Sequence, residues 1–461
     1  MLENIDDLIA QSARTLCAVA PVLPRLEMLR QEMEDAERAA GRGYFFPDED
    51  ERVRGAFVRY LGARAALHET VRDLEPVFHG EPPMAEPQKL RVFAVAFCAA
   101  CMLMRSARFI VDSYSGSKVV WRKLDEAEPR YGLPRKQFSN IYSSATHPHN
   151  VWRFYRAVEF ARKHAEALWE LGDDPNIAPV IQLLREEEHE ALRMSKRAEA
   201  RSRFRYLWHS VNRRRKSTLN NILFAIFEGS GRAISELQNP FHEKRVSPGV
   251  IREARRLLRP GDAIVTRHDD AASNLFLPGY WPHAALYVGS NEERRALGMQ
   301  MDEERWARAR DPVRVLEARK DGVRFRCLTD TLQVDAFAII RPQLESAALA
   351  RALSRAAEHE GKFYDFEFDF RRSDRLVCTE VVYRGFHGVG GLEFRLTNRA
   401  GRPTFSAEDL LDLAVQNIGY EVVALYGENG NNQLTTGMPA RDRLASTYGS
   451  SERSGRIITI P

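Results

Sequence analysis

A cysteine and a histidine, each at the head of an apolar run, carry the most chemical reach in this chain. Cys378 opens Cys378-Thr379-Glu380-Val381-Val382-Tyr383-Arg384, and Val381, Val382 and Phe386 recur at helical spacing. A cysteine near a helix N-terminus feels the positive end of the peptide dipoles, which favours the nucleophilic thiolate. His283 opens His283-Ala284-Ala285-Leu286-Tyr287-Val288, which Gly289-Ser290 stops; the run predicts a strand with its histidine at the sheet edge. A neighbouring imidazole takes the thiol proton and later returns it to a leaving group. The free backbone N–H groups of the helix start would hold an oxyanion.

A third group should orient the histidine. Glu317, in the strand-like run Arg314-Val315-Leu316-Glu317-Ala318, precedes the hairpin-type turn Lys320-Asp321-Gly322. Paired beside the histidine strand, it would face the ring. Asp365, Asp369 and Glu380 are alternatives. Tyr364 and Thr379 are candidates for substrate or oxyanion contact by position. Taken singly, each residue has a plainer role: a cysteine in an apolar run is usually a small core hydrophobe, and a histidine usually makes a structural hydrogen bond.

The blocks around these residues resemble the YaeF/YiiX permuted papain-like amidases, relatives of the NlpC-type cysteine hydrolases. They are Gly261-Asp262, Leu277-Pro278-Gly279 with Pro282-His283-Ala284 and Leu286-Tyr287-Val288-Gly289, Leu316-Glu317-Ala318 before Gly322-Val323, Gly361-Lys362-Phe363-Tyr364-Asp365-Phe366, and Leu376-Val377-Cys378-Thr379-Glu380. The order histidine, acid, cysteine is that of the permuted group. The resemblance covers the C-terminal two-fifths of the chain. It implies Cys378 as nucleophile, His283 as base and Glu317 as orienter, in an amidase acting on a peptide, a peptidoglycan fragment or a lipid-linked amide. A lipid acyl hydrolase or acyltransferase, akin to the lecithin–retinol acyltransferase relatives of the fold, is the second reading. A non-catalytic scaffold is the third. The mechanism calls for no metal or organic cofactor.

The elements that must position these groups follow from the remaining pattern. The expected class is α+β: a helical domain over 1–240, a circularly permuted papain-like domain with an antiparallel sheet over 241–430, and a flexible tail over 431–461. Helices are predicted over 2–42, broken at Pro21 and Pro24, then over 48–75, 85–112 and 150–171. Strands are predicted over 262–267, 283–289, 313–318, 323–328, 335–341 and 420–426, with helices at 345–360 and 406–416. Phe363 to Phe370 alternates aromatic and acidic residues, as if one face packs and the other meets solvent or a substrate amine.

Composition narrows the setting. The 461-residue chain has five cysteines, odd in number and unevenly spaced, which argues against a disulfide framework and for a reducing compartment. Cys98-Ala-Ala-Cys101 lies in an apolar helical run and reads as core, as does Cys327. The N-terminus lacks a basic start and apolar stretch, so no secretory signal is expected. Val92 to Met104 is too short to span a bilayer and reads as a buried helix. A cytoplasmic protein, at most peripheral to a membrane, is expected. His147-Pro148-His149 reads as a surface loop rather than a metal site, and Glu186 to Glu190 as a solvated helix face. Net charge is +4, too mild for a general nucleic-acid binder. From Arg193 to Lys216 the chain turns basic with interleaved aromatics. Arg213, Arg214, Arg215 and Lys216 are therefore candidates for contact with a membrane or other anionic partner.

Overall fold

The computed structural model describes residues 3–78, 86–192, 244–268, 280–365, 368–399 and 402–447. The chain forms two compact units, one of Met1–Phe45 with Glu49–Leu219, the other of Phe46–Asp48 with Asn220–Pro461. The basic run 193–216, its Arg213 to Lys216 cluster, the expected boundary at 240 and residues 448–461 lie outside the described residues.

The first unit is built of helices: α1 (Glu3–Val19), α2 (Leu26–Arg42), α3 (Pro47–Phe78), α4 (Glu86–Tyr114), α5 (Lys118–Leu124), α6 (Gln137–Thr146), α7 (Pro148–Lys163), α8 (Ala165–Glu170) and α9 (Ala178–Leu192). Its centre is α4. Ala94, Val95, Phe97, Cys98, Cys101 and Met102 have no or almost no exposed surface, so the CxxC pair is core packing. The helix runs well beyond 92–104. Pro87–Tyr114 is long and apolar enough to cross a membrane by length and composition, and 67% of its most apolar window is buried inside the structure.

Two sequence expectations need correction in this unit. His147-Pro148-His149 is not a loop: Pro148 begins α7 and the His147 ring accepts the His149 N–H at 3.3 Å, a helix cap that suits proline's fixed φ at the first position. Glu187 does not face solvent. It is buried, and Arg105 donates to its carboxylate. Burial of that arginine drags its counter-charge inward, because an unpaired charge there is costly.

Among the described residues after 243, the first element of the second unit is α10 (Pro248–Leu257). A seven-stranded antiparallel sheet follows, from β1 (Ala263–Arg267), β2 (His283–Tyr287), β3 (Val313–Arg319), β4 (Gly322–Cys327), β5 (Ala336–Pro342), β10 (Tyr420–Tyr426) and β11 (Thr435–Thr436), in the order β11-β10-β5-β1-β2-β3-β4. Two short pairs complete it, β6 (Phe363–Tyr364) with β7 (Arg375–Leu376) and β8 (Thr397–Arg399) with β9 (Arg402–Thr404). The helices α11 (Asn291–Leu297), α12 (Glu303–Arg308), α13 (Leu328–Thr331), α14 (Ser346–Ala357), α15 (Cys378–Phe386), α16 (Ala407–Val415) and α17 (Gly437–Ser446) lie between or after the strands.

Both faces of the sheet are covered, which is why its central strands read as continuous apolar runs. Ala263, Val265, Ala284, Leu286, Leu316, Ala338 and Ile340 share one core with Ala352, Ala356, Val381, Val382 and Phe386 of α14 and α15. Ile264, Ala285, Tyr287, Val315, Phe337 and Ile339 face the other way, onto Ala254, Leu258, Leu328 and Leu332. At Gly385, α14 and α15 approach closely: a Cβ there would lie 2.9 Å from Ala356 Cβ and 3.0 Å from Ala352 O. Gly322, in the β3–β4 turn, takes φ +98 against the Lys362 carbonyl, where a side chain has no room.

Residues 435–446, expected within a flexible tail, are instead β11 and α17. Thr435 pairs with Leu425, and Ala440 and Leu444 are fully buried in the sheet core. Two apolar contacts outweigh a polar composition that alone reads as disorder. The alternating segment after Phe363 is also not two-faced. Phe363 is 59% exposed while Asp365 and Asp369 are buried, and among the described residues of the segment only Phe363–Tyr364 is strand. Phe368 takes a positive φ of +52.

Candidate active site

His283 is the first residue of β2, so its backbone is held by the sheet. β2 and β3 pair antiparallel with Leu286 opposite Leu316 and Tyr287 opposite Val315. Carried two residues on, that register sets Glu317 opposite Ala285, on the same face as His283 and diagonal to it. The ring Nε2–H donates to Glu317 Oε1 at 2.6 Å. Glu317 has no exposed surface. Its Oε1 also accepts from Arg319 Nε at 2.8 Å, its Oε2 accepts the Thr331 hydroxyl at 3.1 Å, and Arg326 Nε stands 3.6 Å from Oε2. The carboxylate is thus held from four sides. Just upstream, the N–H groups of Tyr280 and Trp281 donate to the Glu408 carboxylate of α16, and the buried Trp281 indole donates to Thr447 Oγ1 at 2.9 Å. These three bonds fix the approach to His283.

Cys378 is the first residue of α15, after Val377 in extended geometry at φ −86, ψ 170. It is buried, and its thiol shares a hydrogen bond with the His283 ring. Glu317 occupies Nε2, which leaves Nδ1 for the sulfur. The backbone N–H groups of Ala284 and Thr379 also donate to the sulfur. Burial alone would push the Cys378 thiol up. The charge and hydrogen bond of His283, with those two N–H groups, outweigh it and bring the pKa below its ordinary value. Burial alone would push His283 down. The Cys378 thiolate and the Glu317 carboxylate overcome it and hold the ring at about 10. Glu317 is brought down to about 2, burial being outweighed by His283 and Arg319. The three groups favour an imidazolium between two anions, and such a thiolate can attack a carbonyl without first losing a proton.

The other sequence candidates separate. Tyr364 is half-buried beside the site, and its hydroxyl is raised well above the ordinary value by burial, then by the charges of Cys378, Asp365 and Glu380. Thr379 is split in role: its N–H faces the sulfur, but its hydroxyl donates to Phe405 O at 2.6 Å and is engaged away from it. Glu380 is not on the histidine. It accepts the Val377 N–H at 3.0 Å, capping the cysteine helix from within. Asp365 accepts the Asp369 N–H at 2.8 Å, in a loop beside Tyr364. Sequence reasoning did not find the Ala284 amide, Thr331, Arg319, Arg326 or Glu408. Arg319 and Arg326 left only the trace of basic residues in strand-like runs that also hold Arg314 and Arg324. Among the described residues no cluster of three or more His, Cys, Asp or Glu side chains could hold a metal ion.

Residues 257–419 match the family model of the permuted papain-like amidase enzyme family YaeF/YiiX (family C92). The second unit therefore carries a domain of that family, and its kinship points to cysteine hydrolase activity in general. No curated protein and no solved structure matches the chain.

Proposed function

We propose that the second unit hydrolyses an amide through a thioester on Cys378. The hydrogen-bonded row Cys378, His283, Glu317 is the observation that carries this reading. In the first half-reaction the Cys378 thiolate adds to the substrate carbonyl carbon. Backbone N–H groups around the sulfur, those of Thr379 and Ala284 foremost, stabilise the oxyanion. The imidazolium of His283 gives its Nδ1 proton to the amide nitrogen, the C–N bond breaks and the amine leaves. In the second, neutral His283 takes a proton from water, hydroxide adds to the thioester, and collapse releases the acid and the Cys378 thiolate, restoring the thiolate–imidazolium pair. Glu317 stays ionised, holding the ring and balancing its charge. A peptide, a peptidoglycan fragment or a lipid-linked amide is the proposed acyl donor. An acceptor other than water would turn the same thioester toward acyl transfer.

Intact mass spectrometry after brief exposure to p-nitrophenyl acetate tests the reading. One acetyl on Cys378 in the wild type, absent in Cys378→Ala and slowed in His283→Ala, is the expected result. Acetylation spread over Cys17 and Cys327 at similar rates would overturn it. Panels of the three amide classes, assayed against Cys378→Ala, then identify the donor.

A further inference from the structure

Glu380 stands two residues beyond Cys378, with no exposed surface. One carboxylate oxygen accepts the Val377 N–H at 3.0 Å; the other accepts from Arg384 Nε at 3.4 Å and Nη2 at 3.2 Å. Arg384 is itself buried and donates on to the Arg372 carbonyl. The Arg372 side chain grips Asp374 at 3.1 and 3.0 Å, and β7 ties the intervening chain to β6. The pair thus holds the segment leading to Cys378 at two points, the Arg372 carbonyl and the Val377 N–H. Helix starts are ordinarily capped by a Ser, Thr, Asp or Asn at the N-cap. Here the N-cap is Val377, and the cap comes from a buried carboxylate inside the first turn. A cap alone requires no buried arginine, and burying an ion pair stabilises little against apolar residues of the same size.

We propose that Glu380, paired with Arg384, is a positioning residue for Cys378: it draws the Val377 amide away from the sulfur and fixes the first turn of α15 so that the Thr379 amide faces thiolate and oxyanion. This rests on the thioester reading above. The groups facing Glu380 are Arg384 on its own helix, Val377 before it, and Asp365 and Tyr364 from the β6 side.

The experiment compares wild type, Glu380→Gln and the double variant Glu380→Gln/Arg384→Met, all as full chains. Two rates are followed across pH: iodoacetamide alkylation of Cys378, which reports thiolate, and acetylation by p-nitrophenyl acetate, which also needs the oxyanion amides. Above about pH 8, where Glu380 is ionised, Glu380→Gln removes the anion that neutralises Arg384, so the alkaline part of the alkylation limb moves to lower pH. Acetylation relative to alkylation falls about tenfold, the worth of a hydrogen bond to a charged group. In the double variant both charges are gone, so the limb returns toward its wild-type position while the acetylation deficit persists. A purely structural role would lower the melting temperature and leave the limb and the rate ratio unchanged; that result overturns the proposal. If Glu380→Gln does not fold, a double variant with the wild-type rate ratio overturns it equally. A wild-type limb at an ordinary thiol pKa would instead sink the thioester reading, and this proposal with it.

Discussion

Replacing Glu317 by Gln removes one charge from the row and little volume. Its Oε1 lies 2.6 Å from His283 Nε2, closer than either arginine stands to the carboxylate. Arg319 and Arg326 share the carboxylate, so the imidazolium loses only part of a full ion pair. The loss is that of a charge-assisted hydrogen bond, about 1.5–3 kcal/mol. At about 1.4 kcal/mol per pK unit, this is about 1–2 units. The sign is fixed: an anion that favours the protonated ring is gone, so the ring gives up its proton earlier. His283, held at about 10 in the wild type, is expected to titrate about 1–2 units lower. Side-chain NMR of the histidines across pH, with His283 assigned by its absence in His283→Gln, measures the midpoint directly. The alkaline limb of acyl-enzyme formation from an amide, which needs the imidazolium as acid, should retreat by the same amount. A midpoint unchanged in Glu317→Gln would show that the carboxylate does not stabilise the charged ring, and the electrostatic account of the site would fall.

Three further outcomes follow from the same structure. Leu444→Ala should destabilise the second unit by about 2–5 kcal/mol in urea unfolding, because Leu444 is fully buried in the sheet core; an unchanged midpoint would return residues 435–446 to the status of a loose tail. Gly385→Ala drives a methyl against Ala356 and the Ala352 carbonyl, and should cost about 1–3 kcal/mol in the same assay, with slower acetylation of Cys378 as α15 shifts. Glu380 is raised to about 8 from its ordinary 4.5, by burial first, with Asp365 adding to the rise and Arg384 opposing it. A carboxyl raised on folding stabilises fully below its unfolded value, and that stability is lost as pH rises through the folded one. The wild-type melting temperature should therefore fall between about pH 4.5 and 8 more steeply than that of Glu380→Gln, in parallel thermal scans.

Much of the second unit was legible because its signals are local. Apolar runs of five to seven residues closed by Gly289 or the Asp321-Gly322 turn need no distant partner to be strands, and β2 to β5 fall where the pattern sets them. The place of Cys378 at a helix start also follows from its own neighbours, since Val381, Val382 and Phe386 fall on one face of α15. The pairing of Cys378, His283 and Glu317 was anticipated from residue types and from kinship of sequence blocks. The contacts that energise it were not. Thr331 reaches Glu317 only because α13 folds back after β4, and the Ala284 amide meets the sulfur only where the start of β2 abuts α15. Burial decided the rest. Composition made Asp365, Asp369 and Glu187 look solvent-facing and residues after 430 look loose, yet packing encloses all three acids and seats α17 on the sheet. Sequence pattern thus determines which residues enter strands and helices and which types can react. Register, enclosure and the partner of each buried charge depend on contacts between segments far apart in the chain, and those exist only once the sheet has closed.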